Sequence, residues 1–224
     1  MPWEIKKTMN KKVNGKLKRN VEMLFEISAF RRIDRTWKQF FGQEVSNDAE
    51  HTFRVAWIAL TLARYEEGVN YEKLLKMALL HDLAESRTGD ATSLQKKYTK
   101  RKEFEAVRDI FSGTVHEKEM TELFEEYEKR EIIEAMLVKD ADHLDVDLEL
   151  REMGVKGSPL EKMWSSYRKG EMRSHLHTRQ ARELQKAIMS ANPHDWHLSS
   201  LYEQKKLCKR DKKTRAVGRK FNHD

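Results

Sequence analysis

Two adjacent residues with reactive side chains, His81 and Asp82, stand inside the apolar stretch Leu79-Leu80-His81-Asp82-Leu83-Ala84. Taking an imidazole and a carboxylate out of water is costly unless each finds a partner. A metal ion is one such partner; a mutual or backbone hydrogen bond is another. Two further features belong with the pair. His51 follows the polar run Asn47-Asp48-Ala49-Glu50, and the string Lys139-Asp140-Ala141-Asp142-His143-Leu144-Asp145 puts acids into an otherwise apolar stripe. Imidazole nitrogen together with carboxylate oxygen suits borderline divalent ions such as Mn, Fe, Co, Ni or Zn. The chain has a single cysteine, Cys208, so a thiolate site is not expected.

These residues must be positioned by helices. Gly numbers 9 and Pro 3 in 224 residues, too few for the many turns of a sandwich or barrel. An all-α, single-domain bundle is expected. A first helix is predicted over Val21–Ile33, with Leu24, Phe25, Ser28 and Phe30 on one face. Arg35–Gly42 reads as a connection. Asn47 and Glu50 form a capping-box pattern that opens a helix running to about Glu67. Its Thr52, Val55, Ala56, Ala59, Leu62 and Ala63 recur at helical spacing. Further helices are predicted at about Tyr71–Leu83, 99–112, 117–130, Glu131–Met153, Pro159–Lys169 and Thr178–Ala191. Asp140, Asp145 and Asp147 read as a solvated face, Met163–Tyr167 as core in preference to an interface, and Trp196-His197 as packing against the body.

The net charge of +7 is concentrated at the ends. Residues 1–20 and 203–224 each carry +6, which leaves the middle at −5. The chain therefore divides into a basic N-terminal segment, 1–19, a helical body, 20–200, and a basic tail, 201–224. Basic ends suit a weak contact with nucleic acid or other polyanions, and also suit plain solvation. One cysteine fits a reducing, cytoplasmic setting. No apolar run is long enough to span a membrane and no secretory leader is expected.

The ordered residues His51, His81-Asp82 and Asp142 resemble the HD-domain metal-dependent phosphohydrolase superfamily. The string His81-Asp82-Leu83-Ala84-Glu85-Ser86-Arg87-Thr88-Gly89-Asp90 is similar to the HD-x-x-E-x-x-T-G-D signature of its 5′-deoxynucleotidase-like subfamily. The likeness spans about residues 20–155. It implies an HD-type helical bundle with one divalent metal ion (Mn, Co, Fe, Ni, Zn or Mg) held by His51, His81, Asp82 and Asp142. Asp142 is favoured over Asp140 and Asp145 because Lys-x-x-Asp is the family's pattern. The resemblance also implies that Glu85 is the general acid/base, that Asp90 meets the sugar near the reacting phosphate, and that Thr88, before Gly89 in the same turn, binds substrate.

A monophosphate dianion needs a cation, and Arg offers planar, paired donors. Arg35 is the choice for phosphate and Trp37 for packing on the sugar or base, with Arg31 and Arg32 as rivals. Arg35-Thr36-Trp37 departs by one residue from the subfamily's Arg-Thr-Gly-Trp or Arg-Trp. His175, His177, His194 and His197 match no ligand spacing, and His116 and His143 read as surface or core residues. The expected reaction is removal of the 5′-phosphate from a (deoxy)nucleoside monophosphate by a metal-activated water. The alternatives are another nucleotide or nucleic-acid phosphoester, and a nucleic-acid-binding module on the same fold. The family resemblance also implies a homodimer.

Overall fold

A computed structural model describes residues 3–42 and 44–199. The tail beyond, with Cys208, lies outside the described residues. The elements are α1 (Trp3–Ala29) with a 3-10 turn at Phe30–Arg32, α2 (Lys38–Phe41), α3 (Asp48–Ala63), α4 (Tyr71–Leu80), α5 (Glu85–Thr88) and α6 (Ser93–Lys96). Then come α7 (Glu103–Phe111), α8 (Glu117–Lys129), α9 (Ile133–Val155), α10 (Leu160–Tyr167) with a π turn at Arg168–Met172, and α11 (Arg179–Ser190). The described residues form no strand beyond one isolated bridge between Asp34 and Asn47.

α9 is the central rod, packed against α3, α4, α8, α10 and α11. Its fully buried Leu137, Val138, Ala141 and Leu144 meet Val55, Ala59 and Leu62 of α3 and Leu74, Met77 and Ala78 of α4 in one core. Burying one such large aliphatic side chain contributes about 1.5–3 kcal/mol. A smaller cluster of Trp37, Phe41, Leu150 and Met153, with Trp164 packed on it, fastens α2 and α10 to the far end of α9.

Local signals account for where the site helices begin. Asn47 accepts from the Glu50 amide while the Glu50 side chain accepts from the Asn47 amide, the expected capping box. Asn70 caps α4 in the same sense. α4 stops at Leu80, and His81–Ala84 form tight turns before α5.

Four expectations are corrected. α1 starts at Trp3, so residues 3–19 are continuous with the helix predicted from Val21. It buries Met23, with Phe30 just beyond it, and leaves Leu24 and Phe25 exposed, because the body does not extend over that face of α1. Asp140, Asp145 and Asp147 are buried, since α9 is covered on every side. Met163 and Tyr167 are exposed rather than core, and Trp196 is 80% exposed.

Candidate metal centre

The acids of α9 fall into two helical stripes. Asp142, Asp145 and Glu149 lie at i, i+3 and i+7 and face α3; Asp140 and Asp147 are also seven apart and face α10 and α11. On the second stripe Asp140 accepts from the amides of His177 and Thr178 and fixes the start of α11. Asp147 binds Arg168 Nε at 2.7 Å and Gln185 Nε2 at 2.9 Å. These are structural ties, and His177 belongs to one of them.

The first stripe meets His51. The His51 Nδ1 lies 2.7 Å from Asp145 Oδ2, and the His81 Nδ1 lies 2.8 Å from the Ala78 carbonyl. Neither acceptor carries a proton, so each Nδ1 donates, and in the neutral rings each Nε2 is left with its lone pair. The two Nε2 atoms face each other at 3.2 Å. Asp82 Oδ2 is 3.3 Å from His51 Nε2 and 3.1 Å from His81 Nε2, and Asp142 Oδ1 is 3.3 Å from His51 Nε2. One ligand atom from each of His51, His81, Asp82 and Asp142 lies within 4.8 Å of the others. Opposed lone pairs and two carboxylates repel unless a positive charge sits among them. This donor set fits a divalent cation on the chemistry of its atoms alone.

The electrostatics of the cluster point the same way. Burial and the Arg35 charge pull the His51 pKa down, but hydrogen bonds to Asp142, Asp145 and Asp82 outweigh them and hold it well above the usual histidine value. A proton here occupies the role of the cation. Burial pushes Asp82 upward, yet the two histidines hold its carboxyl well below the usual range. Burial likewise raises Asp142, and Lys139, donating to Oδ2 at 2.6 Å, and His51 more than offset it.

A second group of acids adjoins the first. Asp48, Glu85 and Asp90 bring carboxylate oxygens within 4.8 Å of one another and could also hold a cation. Both Asp48 oxygens are buried without a hydrogen bond, and so is Glu85 Oε2. Burial pushes Asp48 up to about 7, with Arg35 opposing it and Asp90 and Asp82 adding to it. Burial, then Asp82 and Asp90, push Glu85 up to about 9 against its 2.9 Å bond from Arg101. Arg35 sits between the two groups, 3.3 Å from Asp82, 3.7 Å from Asp48 and 3.9 Å from Asp90. Gly89, at φ +73°, turns the chain so that Asp90 accepts from the Thr36 amide at 2.6 Å.

Asp142 also lines a cavity of about 580 Å³, with Arg35, Asp90 and Lys139 as its other charged neighbours near the cluster. Trp37, Trp164 and Tyr167 form an aromatic wall, Trp164 edge-on to both others at 6.4 and 6.1 Å. Glu85 is buried beside the cavity, and Thr88 turns its hydroxyl to the Ala84 carbonyl at 3.2 Å, away from the lining. Arg31 and Arg32 are exposed on the 3-10 turn and do not line this cavity. Sequence reasoning missed Asp48, Asp145, Arg54 and Arg101. The spacing of 48, 51 and 54 on one helix and of 142, 145 and 149 on another was the available signal.

Residues 27–186 match the family model described as HD domain. The chain is 33% identical over 133 residues to 5′-deoxynucleotidase HDDC2 of Danio rerio, covering 56% of this chain and 65% of that protein. It is 32% identical over 136 residues to 5′-deoxynucleotidase hdd1 of Schizosaccharomyces pombe, covering 56% and 68%. It thus spans just under two thirds of the length of the zebrafish relative. A conserved hypothetical protein from Pyrococcus furiosus superposes with a TM-score of 0.65 at 29% identity, covering 76% of this chain and 99% of that one. A protein from Magnetospirillum magnetotacticum, described as a predicted metal-dependent phosphohydrolase, gives 0.61 at 22% identity over 78% and 91%, a likeness of fold. Among the described residues no helix is long and apolar enough to cross a membrane.

Proposed function

The chain belongs to the HD domain family, and from that membership we propose that it is a metal-dependent phosphohydrolase that removes the 5′-phosphate of (deoxy)nucleoside monophosphates. The observation that carries this reading is the meeting of two imidazole Nε2 atoms and two carboxylates beside a cavity of nucleotide size. The names of the zebrafish and yeast relatives support the substrate class.

His51, His81, Asp82 and Asp142 would hold the cation. When bound, a divalent ion polarises a phosphoryl oxygen and lowers the pKa of a coordinated water far below that of bulk water, toward about 7. Arg35 supplies the fixed positive charge for the phosphate: it lines the cavity, and Asp82 and Asp90 pair with its guanidinium. Arg168 also lines the cavity, with its Nε on Asp147 and its Nη2 on the His143 carbonyl. Glu85 keeps a proton at neutral pH and can give it to the departing sugar oxygen; once ionised it can take one back. Asp90 faces the cavity and accepts from a sugar hydroxyl, while Trp164, Tyr167 and the edge of Trp37 flank the base.

The test is phosphate release from a panel of deoxy- and ribonucleoside 5′-monophosphates. EDTA-stripped protein is resupplied with Mn, Co or Mg, and bound metal is measured in parallel. Release from the monophosphates that disappears in His81→Ala supports the reading. No release from any of them while metal is bound overturns it.

A further inference from the structure

α1 is fastened to the body by a largely polar side. Arg19 donates through Nε to the Ser112 carbonyl at 3.0 Å and through Nη2 to the Ile110 carbonyl at 3.1 Å. Asn20 accepts from the Val115 amide at 3.0 Å, and Arg87 donates to the two oxygens of Glu26 at 2.7 and 2.9 Å. Met23 is buried among them. At about 100° per residue, Leu17, Val21, Leu24 and Phe25 fall on the other side of the helix. Leu17 is 60% exposed, Leu24 59% and Phe25 73%. The usual arrangement is inverted here: charged groups meet protein and apolar groups meet water. Single apolar side chains on a surface are ordinary, but a continuous stripe marks an interaction site.

We propose that this stripe docks on a membrane surface bearing anionic headgroups, with α1 lying in the plane of the interface. The charge of the segment identifies the partner. Residues 1–20 hold seven Lys or Arg and one acid, net +6. In the sequence Met9 and Val13 continue the spacing of the stripe, and Lys6, Lys7, Lys11, Lys12, Lys16 and Lys18 are interleaved with it. A helix of this pattern sinks its apolar face to the headgroup boundary and sets its cations against the negative charge of the lipids. A nucleic acid would take the charges and leave Leu24 and Phe25 in water. A second α1 would cover the stripe and set +6 against +6. An anionic bilayer answers both features at once. The contact does not depend on the reaction proposed above, because none of the proposed metal ligands lies on α1.

The test is co-sedimentation of the full chain with sucrose-loaded vesicles, made of phosphatidylcholine alone or of phosphatidylcholine mixed with phosphatidylserine. The wild type should bind the mixed vesicles, bind the neutral ones about tenfold more weakly or worse, and be released by high salt. Leu24→Ser combined with Phe25→Ser removes the two most apolar groups of the stripe and should weaken binding about thirtyfold or more. Lys16→Gln combined with Lys18→Gln should weaken it about tenfold or more. All four side chains are exposed, so circular dichroism and Tm should match the wild type. Ser28→Leu works in the opposite direction: it lengthens the stripe at an exposed position and should tighten binding about threefold or more. No binding to the mixed vesicles, equal binding to neutral ones, or binding that survives loss of Leu24 and Phe25 would each overturn the proposal. A single-stranded RNA oligonucleotide is run in parallel. RNA bound while vesicles are not would also overturn it, and would assign the segment to nucleic acid.

Discussion

Asp145→Asn tests whether the metal centre depends on a residue that would never touch the metal. Asp145 accepts the His51 Nδ1 proton at 2.7 Å and so aims the Nε2 lone pair at His81, Asp82 and Asp142. A hydrogen bond to a charged acceptor contributes about 1.5–3 kcal/mol, and one between neutral groups about 0.5–1.5. The amide therefore gives up about 1–1.5 kcal/mol of support for the right tautomer, close to the 1.4 kcal/mol that makes tenfold in affinity. If the amide instead turns its NH2 toward His51, the imidazole must accept at Nδ1 and carry its proton on Nε2, where the cation belongs. Both orientations weaken binding, and the expected loss is about 10- to 100-fold. Arg54 loses its closest partner but keeps Glu149 at 3.8 Å and remains partly exposed, so the fold should stand. The assay is competition for Co or Mn between EDTA-stripped protein and a chromophoric chelator, with circular dichroism as the check on folding. An affinity within twofold of wild type in a folded variant refutes the role given to Asp145.

Metal binding should release protons, because the ion displaces the one that the carboxylates hold on His51. Affinity then rises with pH, and titration calorimetry in buffers of different ionisation enthalpy counts the protons. Glu85→Gln should abolish turnover while retaining metal. In EDTA it should also raise Tm, and by more at pH 8 than at pH 5. With a folded pKa of about 9 and an ordinary value of 4.5, Glu85 keeps in the folded protein a proton that the unfolded chain has lost, so it costs stability increasingly as pH rises through that window. An equal gain at both pH values would contradict the burial assigned to it. Asp147→Ala, on the other stripe of α9, should cost about 3–5 kcal/mol by stranding Arg168. Chemical denaturation measures that loss, and metal affinity in the folded fraction should not change.

The sequence discloses some of this centre and hides the rest for a physical reason. His81-Asp82 in an apolar run is visible because reactive groups among leucines violate the local pattern. The Asn47–Glu50 cap is visible because it is a purely local bargain between neighbouring residues. Asp145 and Asp147 are different. On sequence they resemble a wet helix face, since acids every second or third residue are what a solvated surface shows. They are buried because α9 is covered by five helices at once, a fact of tertiary packing. α1 fails in the opposite direction: Leu24 and Phe25 look like core, and nothing local says that the body stops short of them.

The same packing explains why the centre calls for a cation. Asp48, Asp82, Glu85, Asp90, Asp142 and Asp145 face Arg35, Arg54, Arg101 and Lys139 in a buried to partly buried cluster, and the acids are in excess. Without a metal the excess is met by protons: Glu85 holds one with a pKa of about 9, Asp48 with a pKa of about 7, and His51 takes another. Each is held at a different cost. His51 is stabilised in its charged form by three carboxylates, whereas Glu85 is protonated because burial and its acidic neighbours penalise its charge. A divalent ion among the histidines would replace the first proton outright. Its charge would also lower the pKa of Glu85 toward neutrality, where a carboxyl can both give and take a proton during one turnover. On this account the buried excess of acid is not a structural burden that the fold tolerates. Under the proposed chemistry it would place Glu85, the proposed proton carrier, within reach of the cation's charge.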